Sequence, residues 1–180
     1  MTTQPGPKVI IVMGMSGSGK TTIAQALAKR TGFADDDGDD YHPAANIEKM
    51  TAGIPLTDAD RLPWLQAIAE AIDNYADNDT PVIIACSALK RAYRDLLVHG
   101  RKDVRIVYLE GPASLIARRL THRSGHFMPP GLLKSQIDAL EPPKPDEHIL
   151  TVNIDAPVER IVDHIIAALH LPDIAGAHAS

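Results

Sequence analysis

The stretch Gly14-Met15-Ser16-Gly17-Ser18-Gly19-Lys20-Thr21 decides how this chain folds, because it fills every fixed position of the phosphate-binding loop pattern G-x-x-x-x-G-K-[ST]. The apolar run at residues 9–13 predicts a buried strand before it, and residues 22–30 predict a helix with one apolar face after it. A strand, a glycine-rich loop and a helix in this order form the context in which the pattern is specific. The sequence therefore predicts a site for a nucleoside triphosphate.

Each residue type in this phosphate loop has a physical role. Glycines let backbone N–H groups turn inward towards phosphates, and the following helix N-terminus adds partial positive charge. Lys20 is expected to reach the outer phosphates, and the Thr21 hydroxyl to ligate Mg²⁺. The predicted nucleotide-binding residues of the loop are Gly14, Met15, Ser16, Gly17, Ser18, Gly19, Lys20, Thr21 and Thr22.

Length and composition predict one globular domain over residues 1–180, since 44% of the residues are hydrophobic and 23% are charged. The chain ends, residues 1–7 and 175–180, are expected to be disordered. No apolar run approaches the roughly 20 residues that span a bilayer, and the start of the chain lacks an apolar signal core, so we expect a cytoplasmic protein without a membrane partner. A net charge of −5 with one Trp, four Tyr and two Phe argues against nucleic acid as a partner. The lone cysteine, Cys86, is predicted to be a packed thiol in a strand.

Apolar runs alternate with helical segments along the chain, which predicts an α/β fold with a parallel sheet and helices on both faces. The predicted strands lie at residues 9–13, 82–86, 104–109 and 149–154, and the predicted helices include residues 64–75, 88–98, 113–122 and 158–169. The acidic segment at residues 33–39 follows the first helix, where a β-α-β unit places its second strand. We interpret it as a short strand that ends at Asp39.

Two connecting regions have their own predictions. Pro43 opens a short helix to Met50, and Thr57 or Asp60 caps a helix that is entered at Pro63. Residues 123–131 contain two glycines and two prolines, and their position after an arginine-bearing helix indicates a lid.

A phosphate loop is found in three classes of protein that the sequence can distinguish: small-molecule kinases, GTPase switches and ATP-driven motors. Residues 35–38 match the D-x-x-G pattern of GTPases, but no N-K-x-D guanine-reading motif follows. A motor would close its second hydrophobic strand with an acidic residue, whereas residues 82–86 run into Ser87-Ala88-Leu89-Lys90. The pattern therefore favours phosphoryl transfer to a small molecule.

Such a kinase needs cations around the moving phosphate and a carboxylate that orients the attacking hydroxyl. Arg118, Arg119 and Arg123 are the predicted cations, although a solvated basic helix end is the alternative for each. Asp39 is the predicted base because ligands bind at the carboxyl ends of parallel strands. A turn-capping role remains open for Asp39, and Asp37 or Asp40 could serve instead.

Several blocks beyond the phosphate loop resemble the gluconate kinase family in order and spacing. They are Asp37-Gly38-Asp39-Asp40-Tyr41-His42-Pro43, Asn46-Ile47-Glu48-Lys49-Met50, residues 53–65 (GIPLTDADRLPWL), residues 86–95 (CSALKRAYRD), Gly125-His126-Phe127-Met128 and residues 135–142 (SQIDALEP). This resemblance covers the chain from Val9 to about Leu169 and is far more specific than the phosphate loop alone.

The resemblance implies transfer of the ATP γ-phosphate to the 6-hydroxyl of D-gluconate by a homodimer. It implies a three-layer phosphate-loop fold like that of nucleoside monophosphate kinases, with strand order 2-3-1-4-5 and a lid. A sister kinase of this fold, acting on another small hydroxy acid or a nucleotide, is the alternative.

The acceptor site should offer a cation for the gluconate carboxylate and polar groups for its hydroxyls. The predicted substrate-binding residues are Asp39, His42, Lys49, Arg61, Lys90, Arg94 and His126, with Arg61 favoured for the carboxylate. His42 could equally be a structural cap, and Trp64 is interpreted as core. By fold, the adenine is expected between the lid helix and residues 155–157, near Arg118 and Pro157.

Overall fold

The computed structural model describes residues 6–121 and 130–174. Its strands are β1 (Val9–Met13), β2 (Ala34–Asp37), β3 (Val82–Ala85), β4 (Val104–Glu110) and β5 (Leu150–Asn153). Its α-helices are α1 (Lys20–Thr31), α2 (Ala44–Thr51), α3 (Asp58–Asp77), α4 (Arg91–Val98), α5 (Ala113–Thr121), α6 (Pro130–Ala139) and α7 (Val158–Leu169). Short 3₁₀ turns cover Gly38–Tyr41 and Pro145–Glu147.

The five strands form one parallel sheet in the order β2-β3-β1-β4-β5, as predicted. The central strand β1 pairs with β3 and β4, which places Ile11 opposite Ile84 and Ile106. All three side chains are buried, because a strand covered on both faces has no solvent-facing side. The phosphate loop therefore leaves from the middle of the sheet.

Two apolar cores hold helices against the two faces of the sheet. Ile10 and Val12 belong to the core shared with α1 and α7, whereas Ile11 and Met13 belong to the core shared with α3 and α4. Alternation along β1 thus serves both faces, as the strand period of two requires. Within the described ranges, no helix has the length and apolar character to cross a membrane.

Strand β2 is acidic yet forms an edge of the sheet. Asp36 accepts hydrogen bonds from the hydroxyls of Tyr41 (2.5 Å) and Tyr75 (3.1 Å), so its carboxylate is partnered at the margin of the core. The strand ends at Asp37, two residues before the predicted end at Asp39. The chain turns there because the Asp37 carboxylate accepts a hydrogen bond from the Asp39 N–H at 2.9 Å, capping the 3₁₀ turn.

Helix α3 begins at Asp58 rather than at Pro63, so the predicted start was wrong. Thr57 and Asp60 form a reciprocal capping box, in which each side chain accepts from the other residue's backbone N–H. Both candidate caps therefore act together, and Pro63 lies inside the helix.

Helix α6 was not predicted, because Pro130 and Gly131 indicated an irregular segment. Pro130 is instead the first residue of the helix, a position at which the missing N–H of proline costs nothing. The rest of the predicted lid, residues 123–129, lies outside the described residues, and so do Arg123, His126, residues 1–5 and the tail at residues 175–180. The described residues 6 and 7 carry no regular structure.

Cys86 follows β3 and is 1% exposed. Burial raises the pKa of its thiol to about 12, so the thiol stays protonated at neutral pH. The predicted packed thiol is confirmed.

Candidate active site

The phosphate loop joins the end of β1 at Met13 to the start of α1 at Lys20. A Cβ atom on Gly14 would lie 2.6 Å from Ser18 Oγ and 3.1 Å from the Leu109 carbonyl oxygen, so the loop folds tightly only with glycine there. Gly19 has φ 97°, in the left-handed region that glycine adopts without strain. These two glycines allow the tight turn that a phosphate-binding loop requires.

The Lys20 ammonium is held at the loop, where it donates to the carbonyl oxygens of Gly14 (2.9 Å) and Met15 (3.1 Å). Thr21 lies in the first turn of α1 and is half-buried. The Ser18 hydroxyl is buried and finds no hydrogen-bond partner within the described residues. An orphaned hydroxyl inside a tight glycine loop at a helix N-terminus fits a phosphate group.

A cleft of about 290 Å³ extends from the loop between α1 and the start of α7. Its walls are mainly backbone and apolar side chains, and Arg119 is the one charged residue among the described residues that line it. The lining residues are Gly17, Ser18, Gly19, Thr22, Ile23, Arg119, Ile154, Ala156, Val158 and Ile161. Arg119 donates to the Ile154 carbonyl oxygen at 3.0 Å, which fixes its guanidinium at the cleft. The position and apolar floor of the cleft suit a planar base.

Two further residues, Pro157 and Arg118, were predicted to lie near the adenine. Pro157 caps α7 and stands between the lining residues Ala156 and Val158. Arg118 is exposed on α5 and is not among the cleft residues. The structure thus brings Arg119 rather than Arg118 to the cleft, and the expected contact of Arg118 with adenine stays a prediction.

Asp39 lies in the 3₁₀ turn after β2, still at the carboxyl edge of the sheet. Its side chain is 78% exposed, so solvent and ligands reach the carboxylate. The protein around it still raises its pKa by desolvation, Asp37 and Asp40 add to this, and the Lys20 ammonium acts in the opposite direction. A carboxylate of increased basicity thus lies within electrostatic range of the phosphate-loop lysine.

His42 is fixed by the residues around it. Its ring stacks on Trp64 with centroids 4.3 Å apart and planes 11° apart, and Trp64 Nε1 donates to the Gly38 carbonyl oxygen at 2.7 Å. Burial, with a contribution from Arg61, lowers the pKa of His42 to about 4, so the ring is neutral at pH 7. Trp64 itself is 2% exposed, which confirms its interpretation as core.

The tautomer of His42 follows from its neighbours. Asn46 Nδ2 lies 3.2 Å from His42 Nδ1 and also donates to the Asp60 carbonyl oxygen at 2.9 Å. Because an amide nitrogen only donates, Nδ1 accepts and the ring proton lies on Nε2. That nitrogen is 3.9 Å from Asp39 Oδ1, so it presents a donor beside the carboxylate.

Arg61 and Lys90 meet at the ring of Tyr93. Each charged group lies 5.7 Å from the ring centroid, and Arg61 Nη1 also donates to the Tyr93 hydroxyl at 3.2 Å. Asp58 accepts from Lys90 Nζ at 2.8 Å and from the Tyr93 hydroxyl. The structure therefore brings two of the predicted substrate-binding cations, Arg61 and Lys90, together, with the Asp58 carboxylate beside them.

The remaining predicted substrate residues in the described ranges have protein partners. Lys49 donates to both carboxylate oxygens of Asp60, at 3.0 and 2.8 Å. Arg94 is 1% exposed and forms a two-point pair with Glu147, at 2.7 and 3.1 Å. Arg94 also donates to the carbonyl oxygens of Ala88 and Leu89, both at 3.1 Å, so substrate binding by Arg94 would require these contacts to break.

Sequence reasoning did not single out Asp58, Tyr93 or Gln136. Gln136 contacts the phosphate loop at Ser16, and Tyr93 organises the cation pair. All three lie in blocks that carry the family resemblance, which is the one signal that could have found them. The chemistry of their side chains alone does not single them out.

Comparisons with known proteins identify the family to which the chain belongs. A family model described as an AAA domain matches residues 9–143. The chain is 46% identical over 155 residues to the thermosensitive gluconokinase of Escherichia coli K12, covering 85% of this chain and 82% of that one. It is 40% identical over 173 residues to a gluconokinase of Gluconobacter oxydans 621H, covering 95% and 97%. A solved structure of a gluconokinase from Sinorhizobium meliloti 1021 superposes with a TM-score of 0.83 at 43% identity, covering 93% and 94%.

Proposed function

Because the chain belongs to the gluconokinase family of phosphate-loop kinases, we propose that it transfers the γ-phosphate of ATP to the 6-hydroxyl of D-gluconate, giving 6-phosphogluconate and ADP. The observation that carries this proposal is the exposed Asp39 carboxylate at the carboxyl edge of the sheet, close enough to Lys20 of the phosphate loop for the two charges to interact. A base and a phosphate-binding cation are the two groups that hydroxyl phosphorylation needs side by side.

The phosphate loop and α1 hold the triphosphate. Backbone N–H groups at the helix N-terminus and the Lys20 ammonium neutralise its charge. The cleft beside Arg119 receives the adenine ring. The Thr21 hydroxyl would hold Mg²⁺ with the nucleotide, and that ion would supply further neutralisation of phosphate charge when bound. Arg119 at the rim adds positive charge, and Arg123 is proposed to join it from residues 122–129.

Asp39 orients the acceptor hydroxyl and takes its proton. The hydroxyl oxygen forms a bond to the γ-phosphorus as the bond from that phosphorus to the bridging oxygen of ADP breaks, and the proton passes to the Asp39 carboxylate. His42 Nε2–H lies beside Asp39, where it can donate to a substrate hydroxyl or to the carboxylate. A positioned base of this kind contributes roughly 10²–10⁴ to the rate.

The cation pair of Arg61 and Lys90 is proposed to bind the gluconate carboxylate. Their partner Asp58 is 66% exposed in its side chain, so an incoming acid can compete with it for Lys90 and the Tyr93 hydroxyl. Lys49 and His126 are proposed to contact the substrate hydroxyls. Arg94 supports the same region from within the fold, through the carbonyls of the loop that precedes Lys90.

The resemblance also supports a single-domain protein that works as a homodimer in the cytoplasm. Light scattering of the purified protein tests the homodimer, since a mass near 19.4 kDa would contradict it.

The deciding experiment is a coupled assay of ADP release with ATP and Mg²⁺, comparing D-gluconate with shikimate, glycerate, adenylylsulfate and nucleoside monophosphates. We expect ADP release only with gluconate, together with 6-phosphogluconate as the product. Turnover on another acceptor, with none on gluconate, would retain the ATP site and overturn the acceptor assignment in favour of a sister kinase.

A further inference from the structure

Helix α6 contacts the phosphate loop through one side chain. The Ser16 N–H donates to Gln136 Oε1 at 2.8 Å, and Gln136 Nε2 donates to Ser16 Oγ at 3.0 Å. Both atoms of one primary amide thus hold the backbone and the hydroxyl of one loop residue, across 120 positions of sequence. Gln136 is half-buried, so the contact is sheltered from competing water.

We propose that Gln136 is a positioning residue, which acts through Ser16 to hold the phosphate loop in the conformation that binds nucleotide. The inference rests on the nucleotide-binding part of the proposed function. It needs neither gluconate nor Asp39.

The loop needs such a contact because its own backbone is costly to fix. Gly17 and Gly19 have φ values of 85° and 97°, and glycine loses more conformational entropy on ordering than any other residue. Inside the loop, the Ser18 N–H donates to the Met15 carbonyl oxygen at 3.1 Å, and Lys20 donates to the same oxygen. Gln136 adds a fixed point from a separate element at Ser16, between the two ends of the loop.

The glutamine amide matches Ser16 in a way that few side chains can. It presents an acceptor and a donor side by side, whereas alanine offers neither and asparagine is shorter by one methylene. A glutamate could accept from both the Ser16 N–H and the Ser16 hydroxyl. It would, however, place a negative charge beside the phosphates.

The chain that follows helix α6 reaches the acceptor side of the site. Directly after the helix, the Glu141 N–H donates to the Leu89 carbonyl oxygen at 2.8 Å, and the Glu141 carboxylate accepts from the Arg91 N–H at 2.9 Å. Leu89 and Arg91 flank Lys90, one of the two cations at Tyr93. Gln136 therefore lies on a helix that contacts the phosphate loop, and the chain two residues beyond the end of this helix contacts the segment bearing Lys90.

The test is ADP binding by titration calorimetry, with ADP alone as the probe, for wild type and the Gln136→Ala, Gln136→Asn and Gln136→Glu variants. The matched control is Gln66→Ala, an exposed helical glutamine on α3. Two lost hydrogen bonds predict about tenfold weaker ADP binding in the Ala and Asn variants. Gln136→Glu should bind ADP more weakly still, and the extra loss should shrink as salt screens the added charge.

A double-mutant cycle tests whether Gln136 acts through Ser16. Ser16→Ala removes only the contact to Oγ, so it should weaken ADP binding less than Gln136→Ala does, and the double variant should match Gln136→Ala. In kinetics, the KM for ATP should rise while the KM for gluconate stays unchanged. If Gln136→Ala folds poorly, the Gln136→Asn, Gln136→Glu and Ser16→Ala variants still test the proposal against wild type.

Two results would overturn the role of Gln136. One is an ADP affinity of Gln136→Ala within twofold of wild type, and the other is an equal loss in Gln66→Ala. A wild-type protein that binds ADP but does not phosphorylate gluconate would instead overturn the acceptor assignment and leave Gln136 in place.

Discussion

At the scale of single residues, Asp39 allows chemistry and folding to be separated. Its pKa is raised in the folded protein, so ionisation of Asp39 at neutral pH opposes folding. We predict that Asp39→Asn lowers kcat by about 10²–10⁴ and leaves ATP affinity nearly unchanged. The same variant should unfold at a higher temperature than wild type at pH 7, since the amide carries no charge beside Asp37 and Asp40.

The direction of the pH effect follows from the same shift. Transfer requires the ionised Asp39 carboxylate, so kcat should fall as pH drops through the pKa of Asp39. This pKa lies above 3.8, the ordinary value for aspartate. Stability has the opposite course to kcat, because the penalty of ionising Asp39 is absent well below pH 3.8, grows as pH rises towards the folded-state pKa and is constant above it. Steady-state kinetics and thermal melts over the same pH series check both effects.

Asp35→Asn is the matched control, because Asp35 is an exposed carboxylate on β2. It should retain kcat. An Asp39→Asn variant with normal kcat would move the base to Asp37 or Asp40, and one that loses only ATP affinity would place Asp39 with the metal.

The residue scale also shows where sequence reasoning stops. Asp39 was predicted as the base because it lies near a strand end, and the extra 3₁₀ turn leaves it at the edge of the sheet. Arg94 looked as available as Arg61, because composition does not reveal that a glutamate 53 positions away neutralises a buried guanidinium. Partners that distant in sequence are fixed only by the tertiary fold.

At the scale of elements, the Arg94–Glu147 pair ties α4 to the 3₁₀ turn at Pro145–Glu147. The two side chains are 2% and 5% exposed, so breaking the pair leaves a buried charge without compensation. We predict that Glu147→Gln lowers the free energy of unfolding by about 3–5 kcal/mol, measured by urea denaturation. Because Arg94 lowers the pKa of Glu147, the stabilisation is present at neutral pH and is lost as pH falls through that pKa.

Asp146→Asn is the control for this pair. Asp146 is the adjacent acid, and its ion pair with Arg91 is exposed, so the substitution should change stability little. Arg94→Gln should likewise destabilise the fold. If it instead left stability intact and raised only the KM for gluconate, Arg94 would be a substrate cation as first predicted.

Elements were predicted in proportion to how clear their patterns are. Helix α7 has the predicted bounds because its apolar residues repeat at helical spacing between Pro157 and Leu169. Helix α6 was missed because Pro130 and Gly131 are typical of loops, although proline is also well suited to a first helical turn. The strand order came from the family resemblance, since alternating strands and helices alone do not specify which strands are neighbours.

At the scale of the whole molecule, nucleotide and acceptor sites share one edge of the sheet but use different residues, so each ligand should stabilise the fold by itself. ADP at 100 times its Kd stabilises the native state by about 2.7 kcal/mol. For a chain of this size, that corresponds to a rise of about 5–10 °C in the unfolding midpoint. We predict that Lys20→Ala folds like wild type, loses catalysis and loses most of the ADP-induced rise.

Gluconate should still raise the unfolding midpoint of Lys20→Ala, because the proposed acceptor residues around Tyr93 do not include the loop lysine. Lys29→Ala is the matched control, since Lys29 is an exposed lysine in the last turn of the same helix. It should show both ligand-induced rises. If Lys20→Ala kept the full rise with ADP, the phosphate loop would not be the nucleotide site. Loss of the rise with both ligands would mean that the nucleotide site and the acceptor site depend on each other for their structure.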